Sequence, residues 1–151
     1  MSYCLDSNFF IQAWQKYYSP EISTDFWDWL AKLARDKEIF IPEEVYEEIE
    51  VSKDKLYDWI KTIKDDIVLQ MDEKTQTILI DIMTKPEAKS LVDTNKKSNA
   101  ADVFVVAYAH RNNAIVVTND NNLAKLCKAC DVKCLRDYEF LKEKNLKMSV
   151  L

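Results

Sequence analysis

Glycine is absent from this 151-residue sequence, where average usage would supply roughly ten. Without it there is no Gly-rich phosphate loop and no dinucleotide fingerprint. Turns that need a left-handed backbone must use Asn or Asp, the next most tolerant residues. Asn112-Asn113 and the run Asn119 to Asn122 are the expected places. No apolar run is long enough to cross a membrane. The start, Met-Ser-Tyr-Cys-Leu-Asp, lacks the basic-then-apolar pattern of a signal peptide. The cysteines Cys4, Cys127, Cys130 and Cys134 then read as reduced thiols of a cytoplasmic protein. A basic surface is missing too: net charge is -5 and the sequence pI about 5.0. That argues against broad, non-specific nucleic-acid binding. It leaves room for an acidic site that meets phosphate through a metal ion.

What is present suits one domain over residues 1–151. The length is near the commonest domain size, and 48% hydrophobic residues can build a core unaided. No repeat, low-complexity tract or linker interrupts it. Strands are expected at Tyr3 to Leu5, Glu38 to Ile41, Ala114 to Thr118 and Val132 to Leu135. Ile67 to Leu69 reads as strand or loop. Helices are expected over Ser7 to Tyr18, from Ser23 or Thr24 through Ala34, and over Glu43 to Glu50, Asp54 to Ile63 and Thr75 to Met83. Further helices are expected over Asn99 to Arg111, Asn121 to Ala129 and Tyr138 to Lys144, with Asp93 to Ser98 as a loop. Strands alternating with helices imply an α/β fold with a mostly parallel sheet.

Ligands of such sheets bind beyond the carboxyl ends of the strands. Asp6 follows the first strand and Asp120 follows Ile115-Val116-Val117-Thr118. Each is as well explained by capping the next helix. Asp102 is harder to explain that way. It shares a helix face with Val105, Val106 and Ala109, where a lone ionised carboxylate is costly unless paired or bound to a cation. Glu43, Glu44, Glu47, Glu48 and Glu50 form an acidic cluster. With Val45 and Ile49 as the apolar stripe, Glu48 lies nearest it and Glu47 opposite. Four carboxylates at one edge repel each other, and Mg²⁺ or Mn²⁺, which prefer oxygen ligands, resolve that repulsion. Clusters of this kind serve phosphodiester hydrolysis, one ion acidifying the attacking water and a second stabilising the leaving oxygen.

Four segments carry a resemblance. They are Tyr-Cys-Leu-Asp6-Ser-Asn8, Ile-Pro-Glu-Glu-Val-Tyr-Glu-Glu48-Ile, Ala-Ala-Asp102-Val-Phe-Val-Val-Ala-Tyr-Ala and Ile-Val-Val-Thr118-Asn-Asp120. In this order they resemble the PIN-domain superfamily, in particular a PIN-like branch related to VapC-type toxins, as does Phe26-Trp27-Asp28-Trp29-Leu30. The resemblance implies a PIN-like three-layer sandwich and a metal-dependent endoribonuclease. It also implies RNA as substrate, an antitoxin protein as partner, and Mg²⁺ or Mn²⁺ on Asp6, Glu48, Asp102 and Asp120. Asn8 and Thr118 match small polar residues that support the site. Asn122 stands where many relatives carry a further acidic residue, which leaves a second ion short of a ligand.

Two other readings compete. One is a non-catalytic PIN-fold binding module. The other is an α/β phosphoryl-transfer domain with Asp6 as nucleophile, for which no well-placed Lys is found. Cys127, Cys130 and Cys134 lack the second pair that a zinc site needs and read as buried thiols. His110, the only histidine, suits a helix C-terminus. Trp14, Tyr17, Tyr18, Trp27 and Trp29 read mainly as core, with a homodimer or antitoxin surface as the other use. Lys96-Lys97, Arg111, Lys125 and Lys128 are candidates to meet RNA phosphate, though scattered lysines usually serve solubility.

Overall fold

A computed structural model describes residues 2–92 and 101–144. The chain enters through β1 (Tyr3–Leu5), whose three residues are all buried. α1 (Ser7–Gln12) and α2 (Thr24–Arg35) lead to β2 (Ile39–Pro42) and then α3 (Glu43–Ser52). α4 (Lys55–Thr62), α5 (Lys64–Ile67), β3 (Val68–Leu69), α6 (Glu73–Met83) and α7 (Pro86–Val92) follow. α8 (Asp102–Asn112), β4 (Ile115–Val117), α9 (Asn121–Ala129), β5 (Cys134–Leu135) and α10 (Asp137–Glu143) complete the order. The five strands pair as β3-β2-β1-β4-β5, and every pairing is parallel. This is the α/β sandwich expected from the alternation, with a sheet that is parallel throughout.

Parallel strands covered by helices read as continuous apolar runs rather than alternating ones. Tyr3-Cys-Leu, Ile39-Phe-Ile and Ile115-Val-Val are such runs, and each residue in them is buried. Because all strands run one way, their carboxyl ends share one edge. β1 lies in the middle, between the strands that feed α3 and α9. That order sets Asp6, Glu48 and Asp120 around a common point.

Local signals explain several helix starts. Ser23 caps α2 by accepting from the Phe26 N–H at 3.3 Å. Asp54 caps α4 at 3.0 Å and Asp72 caps α6 at 2.7 Å. Trp14, Tyr18, Trp27 and Trp29 serve the core, as expected. Trp27 is buried and meets Trp14 and Trp59 at centroid distances of 4.7 and 4.8 Å. Tyr18 stacks on Phe26 at 4.4 Å.

Several expectations need correction. The helix expected over Ser7 to Tyr18 ends at Gln12 and widens into a π-type turn, Ala13–Tyr17, closed by the Tyr18 N–H on the Ala13 carbonyl at 2.7 Å. The tertiary bond from Trp27 Nε1 to the Tyr18 carbonyl, 2.6 Å, holds that turn. Left-handed backbone falls at Lys37, Lys53, Asn113 and Asp131 among the described residues. Asn113 was expected, but Asn119 to Asn122 contains none, because that junction passes directly from strand to capped helix. Ile67 to Leu69 resolves into the edge strand β3, paired with β2. The short helices α5 and α7 were not anticipated. The expected loop Asp93 to Ser98, Lys96-Lys97 and the start of the helix expected from Asn99 lie outside the described residues, as does the side chain of Tyr17.

Candidate active site

Asp6 leaves β1 at the centre of the sheet's carboxyl edge and is only 1% exposed. Its N–H donates to the Val117 carbonyl of β4 at 3.2 Å, which sets it beside Thr118. The Thr118 hydroxyl, fully buried, donates to Asp6 Oδ2 at 2.8 Å. Asp6 precedes α1 but makes no capping hydrogen bond with its side chain. The capping explanation therefore fails for Asp6.

It holds for Asp120. Asp120 Oδ1 accepts from the backbone N–H groups of Asn122 and Leu123 at 2.8 and 3.1 Å and starts α9. Its own N–H donates to the Thr118 hydroxyl at 3.0 Å. Thr118 thus joins Asp6 to Asp120. Asn122 supports Asp120 through its backbone. The Asn8 side chain is exposed on the first turn of α1.

On α3 the helix-face arithmetic holds for Glu48 against Glu47. Val45 and Ile49 are buried, Glu47 is exposed, and Glu48 is half-buried. Ser7 Oγ donates to Glu48 Oε2 at 2.9 Å and lies 3.4 Å from Asp6 Oδ1, so it ties β1 to α3. Glu44 turns elsewhere and accepts from the Tyr108 hydroxyl at 3.3 Å. Asp102 opens α8, 4% exposed, on the face it shares with buried Val105, Val106 and Ala109.

Burial comes first in what these carboxylates experience. It raises the ionisation of Asp102 from 3.8 to about 8, with the charges of Asp6, Asp120 and Glu48 adding to it. Burial also raises Asp6, opposed by the Thr118 hydrogen bond and reinforced by the charge of Asp120. Glu48 is raised by burial, with the Ser7 bond opposing and the Asp6 charge adding. None of the charges acting most strongly on these three groups is positive. Glu48 Oε1 and Asp102 Oδ2 are buried with no hydrogen-bond partner. As the side chains stand, no three His, Cys, Asp or Glu groups among the described residues are drawn together tightly enough to enclose a metal ion. A mutually repelling set would hold itself apart in this way until a cation bridges it.

A family profile described as "Domain of unknown function (DUF4411)" matches residues 3–148. The chain belongs to the DUF4411 family. No curated protein matches the chain. Solved structures show that its fold is shared. VapBC2 from Rickettsia felis, bound to a DNA fragment from their promoter, is 22% identical with a TM-score of 0.61, covering 90% of this chain and 98% of that one. FitAcB from Neisseria gonorrhoeae is 17% identical with a TM-score of 0.57, covering 90% and 98%. VapBC-1 from nontypeable Haemophilus influenzae is 17% identical with a TM-score of 0.58, covering 91% and 99%. This DUF4411 chain therefore has the PIN-like fold that its four acidic segments suggested.

One acidic residue near the site escaped the reading of the sequence. Asp137 lies just past β5 and is raised to about 6, by burial first and then by the charge of Asp6. The strand-end rule that singled out Asp6 and Asp120 applies to it equally. Ser7 was missed as well, hidden between two residues chosen for other reasons. The thiols behave as expected: all four cysteines are free, and only Cys134 is partly exposed. His110 is exposed near the end of α8, and Arg111 pairs with Asp72 at 3.3 Å rather than standing free for RNA. Among the described residues, no helix is long and apolar enough to cross a membrane.

Proposed function

We propose that this DUF4411 domain is a metal-dependent endoribonuclease and the toxin of a toxin–antitoxin pair. The observation that carries the reading is the uncompensated acidic edge. The charges of Asp6, Asp120 and Glu48 bear on Asp102, that of Asp120 on Asp6 and that of Asp6 on Glu48, and two buried oxygens of this set, Glu48 Oε1 and Asp102 Oδ2, have no partner. An all-oxygen, all-anionic donor set fits Mg²⁺ or Mn²⁺. Asp6, Glu48 and Asp102 would hold the ion, with Asp120 beside them keeping one oxygen on its helix cap. A bound divalent ion neutralises phosphate charge and acidifies water near neutral pH.

The chain's own residues do the positioning. Thr118 and Ser7 orient the carboxylates of Asp6 and Glu48 by donated hydrogen bonds. Attack by the RNA's own 2′-hydroxyl would need a general base such as histidine, and His110 lies exposed near the end of α8. Direct hydrolysis by water is the route that suits a divalent ion at such a site, and it would leave a 5′-phosphate and a 3′-hydroxyl. The toxin role, the antitoxin partner and a possible homodimer rest on the resemblance of the four acidic segments. The fold shared with the VapBC and FitAB structures is consistent with it.

Mapping RNA ends after incubation with Mn²⁺ tests this. Wild type should give 5′-phosphate ends, Asp6→Asn and Asp102→Asn should give none, and Glu47→Gln should cleave normally. Cyclic-phosphate ends would refute the hydrolytic route. Intact RNA at every metal tried would favour a binding module instead.

A further inference from the structure

A cavity of about 290 Å³ opens beside the acidic edge, between α1, α2 and α10. We propose that it is a nucleobase subsite, with Asp137 accepting a hydrogen bond from the exocyclic amino group of one unpaired base. That the base belongs to an RNA substrate rests on the ribonuclease reading above. The subsite itself does not.

The walls are aromatic. Phe9 and Phe26 are buried in the cavity floor, while Tyr138 lines it with 69% of its surface exposed. A large ring left at a cavity rim is a stacking platform, and base–aromatic stacking is the common device for holding unpaired bases. The polar end is Asp137, which is fixed in place. Its N–H donates to Asn119 Oδ1 at 3.0 Å, and Asn119 Nδ2 donates back to Asp137 Oδ2 at 2.9 Å. Arg136 clamps the same loop through the Asn119 carbonyl at 2.7 Å and Asn121 Oδ1 at 2.6 Å. Asp137 Oδ1 is then buried with no partner. A buried acceptor in that state calls for a donor.

Chemistry and position favour a base. The aromatic rim and the one unpartnered acceptor match the face and the edge of a base, and Asn119, between Thr118 and Asp120, sets the cavity beside the acidic edge. Adenine, cytosine and guanine each carry an amino group. Uracil presents its one edge N–H between two carbonyl oxygens, which a carboxylate repels. The subsite should therefore reject uracil.

Free nucleosides test this without phosphate or metal, so the result does not depend on catalysis. By titration calorimetry in chelator, adenosine, cytidine and guanosine should bind, and uridine about tenfold or more weakly. Tyr138→Ala should weaken binding about tenfold while Tyr138→Phe retains it. Asp137→Asn, which can donate as well as accept, should admit uridine. Should Asp137→Asn fail to fold, the exposed Tyr138 pair still decides. Equal binding of uridine to wild type, no binding of any nucleoside at millimolar concentration, or indifference to Tyr138→Ala would overturn the proposal. So would binding of an arginine amide with none of the nucleosides, which would make the cavity a socket for a protein side chain. Nucleoside binding without RNA cleavage under any metal would uphold the subsite and remove the ribonuclease reading.

Discussion

Raising the pH in chelator should destabilise this protein, against the usual behaviour of acidic groups that are paired in the native state. Asp102 ionises at about 8 in the folded chain against an ordinary 3.8. Between those values the folded state holds a proton that the unfolded state has released. Stability then falls as pH rises, with a limiting slope of about 1.4 kcal/mol per pH unit for one such group. Across the whole window the loss is on the order of 5 kcal/mol, comparable to the total stability of many domains. Asp6 and Glu48 are raised in the same direction, and the protons belong to the cluster rather than to single residues. The loss is complete only above the folded value. Urea unfolding in chelator from about pH 5 to about pH 8.5 reads the slope directly. Asp102→Asn should flatten it, and Mn²⁺ should restore stability to wild type at the alkaline end by binding only the folded state. Wild-type stability that stays level or rises across this range, or an unchanged slope in Asp102→Asn, would refute the account of a repelling buried cluster.

Four further outcomes follow from individual residues. Thr118→Val keeps the shape but removes the donor to Asp6 and the acceptor of the Asp120 N–H, so urea unfolding should show a loss of about 2 kcal/mol. Asp120→Ala in chelator should cost ~1 kcal/mol through the lost α9 cap. Asp120→Asn, which can still cap and removes a charge, should melt no lower than wild type. Lys53→Gly should raise stability by ~0.5 kcal/mol, because Lys53 follows α3 with φ 47°, a conformation that favours glycine at a helix end.

The main strands were readable because parallel strands buried on both faces leave uninterrupted apolar runs, and Tyr3-Cys-Leu and Ile115-Val-Val are such runs; their order in the sheet was not. Asp102 stood out because a carboxylate on the face of Val105, Val106 and Ala109 contradicts that face. Glu48 came from angular arithmetic on α3 alone. The π-type turn at Ala13–Tyr17 was not readable, since the bond that holds it comes from Trp27, nine residues beyond Tyr18. α5 and α7 are too short for a period to show. Asp137 was overlooked because the closing helix was expected to start at Tyr138, one residue late, which left Asp137 as an unremarkable turn residue. Left-handed positions at Lys37 and Lys53 show the limit of composition: without glycine, the chain places whatever residue the turn leaves there.

The central claim is that Asp6, Glu48 and Asp102 are held for a divalent cation. An anomalous difference map from crystals grown with Mn²⁺ tests it most directly. The account places one strong peak in contact with these three carboxylates, lost in Asp102→Asn crystals grown the same way. A map with no peak there at millimolar Mn²⁺, or a peak that persists unchanged in Asp102→Asn, would contradict it.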